Sequence, residues 1–273
     1  MTPRLVIVTL CPGNPDSAEA SFRYGQALAR VLADPLVQLM DAFQTDGSMD
    51  PHRARSRSVR KVREMQASHV LYWDSDVVPT DPGVIARMLE SGHDLIGCVY
   101  PRKMVRWELM ERAVESGLPR PWERYAYSYP FKLHGQDDAL YGTAAGETTT
   151  APAQVVNGCL DVDWLPMGFT LVSRAALDRM WDHYQDELWY SDVDNRTRQI
   201  HDGVHLFGEM WTEPRPGPNG KLFRVPLSED YSFCHRAQAI GIQPKMWVGE
   251  GGPVDHVGSH RFRGYREGLV NAR

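Results

Sequence analysis

Two acidic residues, Asp74 and Asp76, close an apolar run in the stretch LYWDSDVVPT, residues 71–80. Residues two apart on an extended chain face the same side, so this spacing predicts two carboxylates in one small region. Like charges held together are costly unless a cation or strong donors neutralise them. A divalent ion such as Mg²⁺ or Mn²⁺ can do so, because hard cations take oxygen ligands. A solvated Asp-rich turn or a helix cap accommodates the same residues. A second acidic pair, Glu229 and Asp230, follows Ser228 in LSEDYSFCHRAQAIG, residues 227–241. Ser228 can cap a helix there, with both carboxylates in a first turn whose dipole favours negative charge. His256 stands in GEGGPVDHVGSHRF, where glycines permit close backbone approach. Upstream, Arg53, Arg55, Arg57, Arg60, Lys61 and Arg63 crowd one segment, and a solvated helix face is the ordinary use of such a run.

The elements that must position these groups alternate in type. Residues 5–10 form a β-branched apolar run closed by Pro12 and Gly13, which predicts a buried strand. A helix follows, capped by Asp16 or Ser17, with Tyr24, Ala27, Leu28, Val31 and Leu32 on one face and a stop at Asp34-Pro35. A second strand is expected at 36–40, then a polar loop, DAFQTDGSMDPH. The basic helix RARSRSVRKVREMQ comes next, with Val59, Val62 and Met65 as its inner edge. Strands at 69–73 and 95–100 flank a short helix at 82–90. This alternation predicts an α/β fold with a mostly parallel sheet, helical crossovers and flanking helices. Ligands of such sheets collect at the carboxyl ends of the strands, where Asp74 and Asp76 fall.

The second half is less regular. Residues 162–180 read as strand, turn and helix, with Ser173 as the cap. Residues 227–241 read as a helix burying Phe233, Ala237 and Ile240 and stopping at Gly241, and 245–248 as a strand. Residues 102–158 are expected to be loops with a hairpin, and 182–220 to be irregular. Both stretches are rich in Trp and Tyr, and long loops in a compact chain often carry binding. There is no internal repeat.

Composition narrows the classes. The chain has 273 residues, a formal charge of −5 and a pI near 6.1, so it is no generally basic nucleic-acid binder. Cys11, Cys98, Cys159 and Cys234 are scattered and indicate neither a disulfide framework nor a zinc ribbon. The first apolar run is too short for a signal peptide, and no stretch approaches the roughly 20 apolar residues of a membrane span. A cytoplasmic protein with no membrane partner is the simple reading.

An ordered series of short motifs resembles glycosyltransferases of the A-type fold, and among them small bacterial and phage proteins related to family-two enzymes. The series is Arg55-Ser56, YWDSD, GCVYPRK (97–103), VDWLPMGFTLVSR (162–174), SEDYSFCHRA (228–237) and a late histidine in DHVGSHRF (255–262). Two positions depart from the family pattern: Ser56 replaces the usual asparagine, and Pro166 stands where glycine is common. The resemblance implies a single domain with a nucleotide-sugar-binding half, 1–103, and an acceptor-binding and catalytic half, 104–273. It implies Mn²⁺ or Mg²⁺ held by Asp74, Asp76 and His256, and donor contacts from Arg55, Asp74 and Lys103. Asp230, with Glu229 beside it, matches the catalytic base of inverting members, and Trp164, Met167 and Gly168 match the acceptor wall.

Competing functions fit less well. A nucleotidyltransferase acting on a sugar phosphate usually carries a basic glycine-rich loop after the first strand, and CPGNPDSAEA has no lysine or arginine. A non-catalytic nucleotide-sugar binder predicts loss of one acidic motif, yet both are present. The acceptor is expected to meet aromatic residues such as Trp107, Trp122, Tyr125, Tyr127, Trp189, Tyr190 and Trp211. A saccharide or other small hydroxyl compound suits them. So does a hydroxylated base in phage DNA, if the basic helix and Arg261, Arg263 and Arg266 track its backbone.

Overall fold

The computed structural model describes residues 4–10, 24–26, 28–29, 38–45, 50–65, 67–81, 83–134, 154–193, 198–217, 220–258 and 261–265. The expected turn at Pro12-Gly13, the caps Asp16 and Ser17, most of the first helix with its stop at Asp34-Pro35, Arg266 and the segment 135–153 lie outside these residues.

Strands β1 (Arg4–Leu10), β2 (Gln38–Thr45) and β3 (His69–Trp73) begin a parallel arrangement, with β1 between its two partners. Side chains alternate across it. Leu5, Ile7, Leu71 and Trp73 enter one core cluster, whereas Val6, Val8, Val70 and Tyr72 enter the other. A strand buried on both faces shows a continuous apolar run, which is why β1 and β3 are legible. Helix α1 (Pro51–Glu64) packs Val59 and Val62 into the second cluster. After β4 (Val77–Val78), helix α2 (Val84–Glu90) packs Val84, Ile85 and Met88 into the first. Each such side chain contributes roughly 1.5–3 kcal/mol on burial.

The remaining elements, in chain order, are β5 (Leu95–Gly97), α3 (Trp107–Glu115), β6 (Lys132–Leu133), β7 (Cys159–Trp164), β8 (Phe169–Ser173) and α4 (Arg174–Leu188). Then come β9 (Trp189–Val193), β10 (Ile200–Val204), β11 (Met210–Trp211), β12 (Arg215–Pro216), β13 (Leu222–Phe223) and β14 (Pro226–Leu227). Helix α5 (Glu229–Ala239), β15 (Lys245–Trp247), β16 (Asp255–Val257) and β17 (Arg261–Phe262) complete the series.

The central sheet has eight strands in the order β2-β1-β3-β8-β5-β15-β7-β6. Strands β2, β1, β3, β5, β15 and β6 run one way; β8 and β7 run the other. The fold is therefore mixed α/β, one domain around a mostly parallel central sheet with flanking helices. Two pairings bring distant motifs to the end of β3. Antiparallel β8 sits between β3 and β5, with Phe169 opposite Trp73, so the turn before β8 lies beside the end of β3. Strand β16 pairs with β4, with His256 opposite Val77.

Several expectations differ from this arrangement. Residues 41–45, read as loop, continue β2 as an edge strand paired to β1. Residues 107–115, also read as loop, form α3; only Ala113 of this helix is buried, so no apolar stripe marks it. Residues 182–188 extend α4, and 189–204 contain the β9–β10 hairpin. His256, in the glycine-rich segment, lies on strand β16. Ser173 does cap α4, its Oγ accepting the Ala176 N–H at 3.0 Å, but Ser228 makes no such bond at the start of α5.

Candidate active site

Strand β3 stops at Trp73, and the chain turns at once. The Asp74 N–H donates to Gly168 O at 2.9 Å and the Val77 N–H to Asp74 O at 3.0 Å. The indole of Trp73 locks the turn by donating to Val77 O at 2.8 Å. The two-residue alternation holds only while the chain stays extended; through this turn the two carboxylates take different partners, although the Asp76 charge still acts on Asp74. Asp74 accepts from Arg55 Nη2 at 3.2 and 3.3 Å. Asp76 Oδ2 accepts from Lys103 Nζ at 2.6 Å and faces His256 Nε2 at 3.4 Å.

Arg55 is the centre of the arrangement. It lies on the inner side of α1 and is 2% exposed. Besides Asp74, its guanidinium bonds Glu229 at 3.0 Å and also Asp230, both from the first turn of α5. One cation thus meets three carboxylates contributed by the end of β3 and by α5. Arg55 is held inside this cluster and is not a member of a solvated basic face.

The electrostatics follow from that stoichiometry. Burial disfavours the charge on Arg55, but Asp230, Asp74 and Glu229 outweigh it and raise its pKa further. Asp230 is pushed up to about 7 by burial first, with Glu229 and Asp74 adding to the rise against Arg55 and a backbone hydrogen bond from Met167. Asp74 is raised by burial, with Asp76 adding to it and Arg55 opposing. Asp76 goes the other way: burial would raise it, yet His256 and Lys103 hold it down to about 2. Two acidic residues in one tripeptide thereby differ in proton affinity because they meet different cations.

The turn between β7 and β8 ties these parts together. Met167 bonds Asp230 through its backbone N–H, while its side chain is fully buried in the core. Gly168 donates its N–H to Tyr100 Oη at 3.1 Å. A Cβ at Gly168 would fall 2.3 Å from Tyr100 Oη and 2.7 Å from Asp74 Oδ2, so only glycine lets both groups close on the backbone. Trp164, half-buried, stacks on Tyr231 with ring centroids 5.0 Å apart and carries Lys132 Nζ 4.8 Å from its ring centroid. Of the other aromatics expected to meet an acceptor, Trp107, Trp189 and Trp211 are exposed, whereas Tyr125 and Tyr127 are buried.

Tyr100 was not singled out by sequence reasoning, although it stands in GCVYPRK. Its phenol reaches the Gly168 amide, its ring meets that of His256 edge-on at 4.8 Å, and burial together with Asp74 raises its pKa well above the ordinary value. Ser56, the departure from the family pattern, is fully buried. It accepts the Phe207 N–H at 3.3 Å and bonds His205 Nδ1 at 2.8 Å, which anchors the chain after β10.

Among the described residues no group of three or more His, Cys, Asp or Glu is assembled to hold a metal. Two of the three expected ligands do face each other. His256 Nδ1 lies 2.9 Å from Pro101 O, a carbonyl that only accepts, so Nδ1 carries the hydrogen. The other ring nitrogen, Nε2, faces Asp76 Oδ2 at 3.4 Å. This is the arrangement of a metal-binding histidine oriented by a backbone carbonyl. Asp76 Oδ2, the oxygen that faces His256, is already met by Lys103. Asp74 is committed to Arg55.

A separate cavity of about 250 Å³ lies between α1 and the β9–β10 hairpin. It shares no residue with the carboxylate cluster. Its Arg57 and Arg60 are paired with Asp192 and Glu64. The convergence of titratable groups at the end of β3 and the start of α5 marks the candidate site.

The chain is a mixed α/β domain whose charge-dense site lies at the carboxyl end of a parallel strand, where ligands of such sheets collect. No family model matches the chain, and no curated protein matches it. Among solved structures it is similar to A197 from STIV, at 10% identity and a TM-score of 0.45, covering 93% of this chain and 85% of that one. Among the described residues, no helix is long and apolar enough to cross a membrane.

Proposed function

We propose that this chain is a glycosyltransferase that uses a divalent ion to move a sugar from a nucleotide-sugar donor to an acceptor hydroxyl, with inversion. The observation that carries the reading is the meeting of two acidic motifs, far apart in sequence, on one buried guanidinium: Asp74 at the end of β3 and Asp230 at the start of α5. The ordered motif series from Arg55 to Phe262 supplies the chemical class.

In this reading Asp230 is the general base. A carboxylate held near 7 is matched to accepting a proton from an acceptor hydroxyl at neutral pH. Glu229 and Asp74 raise it, and Arg55 and the Met167 amide keep it oriented. Arg55 acts as a positioning residue, since both its terminal nitrogens bond carboxylates, while its Nε meets no partner among the described residues. Asp74 lines the donor side next to Gly168, and Lys103 supplies a positive charge for the donor's phosphates. Asp76 and His256 would hold Mn²⁺ or Mg²⁺, which would stabilise the charge developing on the diphosphate leaving group.

A saccharide or other small hydroxyl compound is the acceptor this reading favours. Three of the arginines a DNA backbone would use are paired with carboxylates, Arg57 with Asp192, Arg63 with Asp178 and Arg261 with Asp255, and Arg263 hydrogen-bonds Tyr265. The test is mass spectrometry of products from a panel of nucleotide-sugars with Mn²⁺. Free sugar or a glycosylated acceptor with nucleoside diphosphate supports the proposal, and pyrophosphate release makes the protein a nucleotidyltransferase instead.

A further inference from the structure

We propose that Arg102 selects the acceptor by anchoring a carboxylate or phosphate group on it, which makes the preferred acceptor an acidic saccharide. The inference rests on the reading of Asp230 as the base that meets the acceptor hydroxyl. Three observations carry it.

First, the chain places Arg102 in the run that lines the site. Tyr100 Oη accepts the Gly168 N–H at 3.1 Å, Pro101 O lies 2.9 Å from His256 Nδ1, and Lys103 Nζ bonds Asp76 at 2.6 Å. Within this run the Arg102 N–H is fixed by Ser128 O at 2.9 Å. Second, the two adjacent cations serve different groups. Lys103 goes to Asp76. Arg102 acts on Tyr231: burial pushes that phenol up to about 12, and the Arg102 charge opposes the rise. Tyr231 follows Asp230 in the first turn of α5 and stacks on Trp164 with ring centroids 5.0 Å apart. A sugar whose hydroxyl meets Asp230 would lie along this wall, with another substituent directed toward Arg102. Third, the guanidinium keeps its charge for a ligand. Arg55 is enclosed by carboxylates, Lys103 holds Asp76, and Lys132 holds Asp163 at 3.3 Å. Arg102 is exposed, and among the described residues its side chain makes no ion pair and no hydrogen bond.

The planar fork of an arginine matches a carboxylate or a phosphate with two parallel hydrogen bonds. Asp74, Glu229 and Asp230 would repel an acidic group that arrives without a counter-charge. Arg102 supplies that charge at the exposed edge of the cluster. It thereby holds the anion away from the acids and leaves the neutral hydroxyl to the base. A solvated surface arginine is the alternative.

The experiment is titration of the full chain with methyl glucuronide, methyl glucoside and glucose 6-phosphate at constant ionic strength, read by ligand-observed NMR. The proteins are the wild type, Arg102→Gln and Arg102→Lys, with circular dichroism as the folding control. The wild type is expected to bind the two acids about three- to tenfold more tightly than the glucoside, the worth of one part-exposed charge-assisted pair. Arg102→Gln should lose this preference while still binding the glucoside. Arg102→Lys, which keeps the charge without the fork, should retain part of it. No binding of the acids by the wild type, no preference for them, or an undiminished preference in folded Arg102→Gln overturns the inference. Nucleoside diphosphate release from a donor panel is followed separately on the wild type. Donor turnover without the preference removes the anion subsite alone, and an Arg102-dependent preference without turnover of any donor keeps the subsite and removes the transferase.

Discussion

Arg55 and Asp230 lie 175 positions apart in sequence and are joined by a hydrogen-bonded ion pair beneath the end of β3. The same guanidinium holds Asp74 and Glu229. Burial and these two acidic neighbours push Asp230 up to about 7 despite its bond to Arg55. A carboxylate whose folded pKa lies near 7, against an ordinary value of 3.8, destabilises the fold whenever it is ionised.

The sign is definite. The folded state binds a proton more tightly at Asp230 than the unfolded chain does, so stability gains from this group as pH falls from about 7 toward 3.8. The gain approaches about 1.4 kcal/mol per pH unit in that window. Asp230→Asn removes it. At pH 8 the variant is expected to melt higher than the wild type, and below pH 4 the difference should vanish. Thermal melts across pH 4–8 check this, and an unchanged pH dependence would remove the strain assigned to Asp230.

The same residue sets a rate prediction. A base works only when deprotonated, so turnover should rise with pH through about 7 and level off above it. Asp230→Asn should lower turnover by about 10²–10⁴ while donor affinity, measured by calorimetry, stays within a few-fold. Loss of donor affinity with turnover per bound donor preserved would make Asp230 a binding residue.

Arg55→Met leaves three carboxylates with no shared counter-charge. Breaking a buried pair from one side typically costs about 3–5 kcal/mol, and Arg55 is buried. The loss should be largest above pH 8 and shrink as the acids protonate. Because Arg55 opposes the rise in Asp230, the rising limb of the pH–rate profile should also move to higher pH. Denaturant melts and rate profiles of this variant read both effects; a limb that stays in place would separate Arg55 from the base.

Gly168→Ala tests the turn that wires these groups. Its Cβ would meet Tyr100 Oη and Asp74 Oδ2 well inside contact distance, and overpacking of this kind costs about 1–3 kcal/mol. The Gly168–Tyr100 hydrogen bond should be lost with it. A variant as stable and active as the wild type would mean that Tyr100 and Asp74 do not close on this backbone.

Sequence patterns reveal what is local and periodic. β1 and β3 are legible because both faces are buried, and α5 because Phe233 and Ala237 recur on one side. α3 is not, since its Trp107, Glu111 and Val114 all face solvent. The β9–β10 hairpin escapes for a related reason: Trp189, Ser191 and Val193 are on its exposed face, so its alternation is not apolar against polar. The acids at 74, 76, 229 and 230 and His256 can be picked out by residue type. Their partners cannot, because the turn after Trp73 sends Asp74 to Arg55 and Asp76 to Lys103, and neither destination can be read from spacing. His256 reaches Asp76 only through the pairing of two short strands, β16 and β4, and Tyr100 has no local signal that sets it apart from a core tyrosine.

The central claim is metal-assisted sugar transfer at this cluster. Its most direct test is donor turnover, measured as nucleoside diphosphate release across a nucleotide-sugar panel, for the wild type with Mn²⁺, the wild type with chelator, and Asp76→Ala with Mn²⁺. Removing one contact to transition-state charge typically costs about 10²–10³ in rate. The account predicts turnover of at least one donor by the wild type, and a loss of that order in both other arms while the Asp76→Ala fold persists by circular dichroism. Full turnover in chelator, or in folded Asp76→Ala, would contradict it.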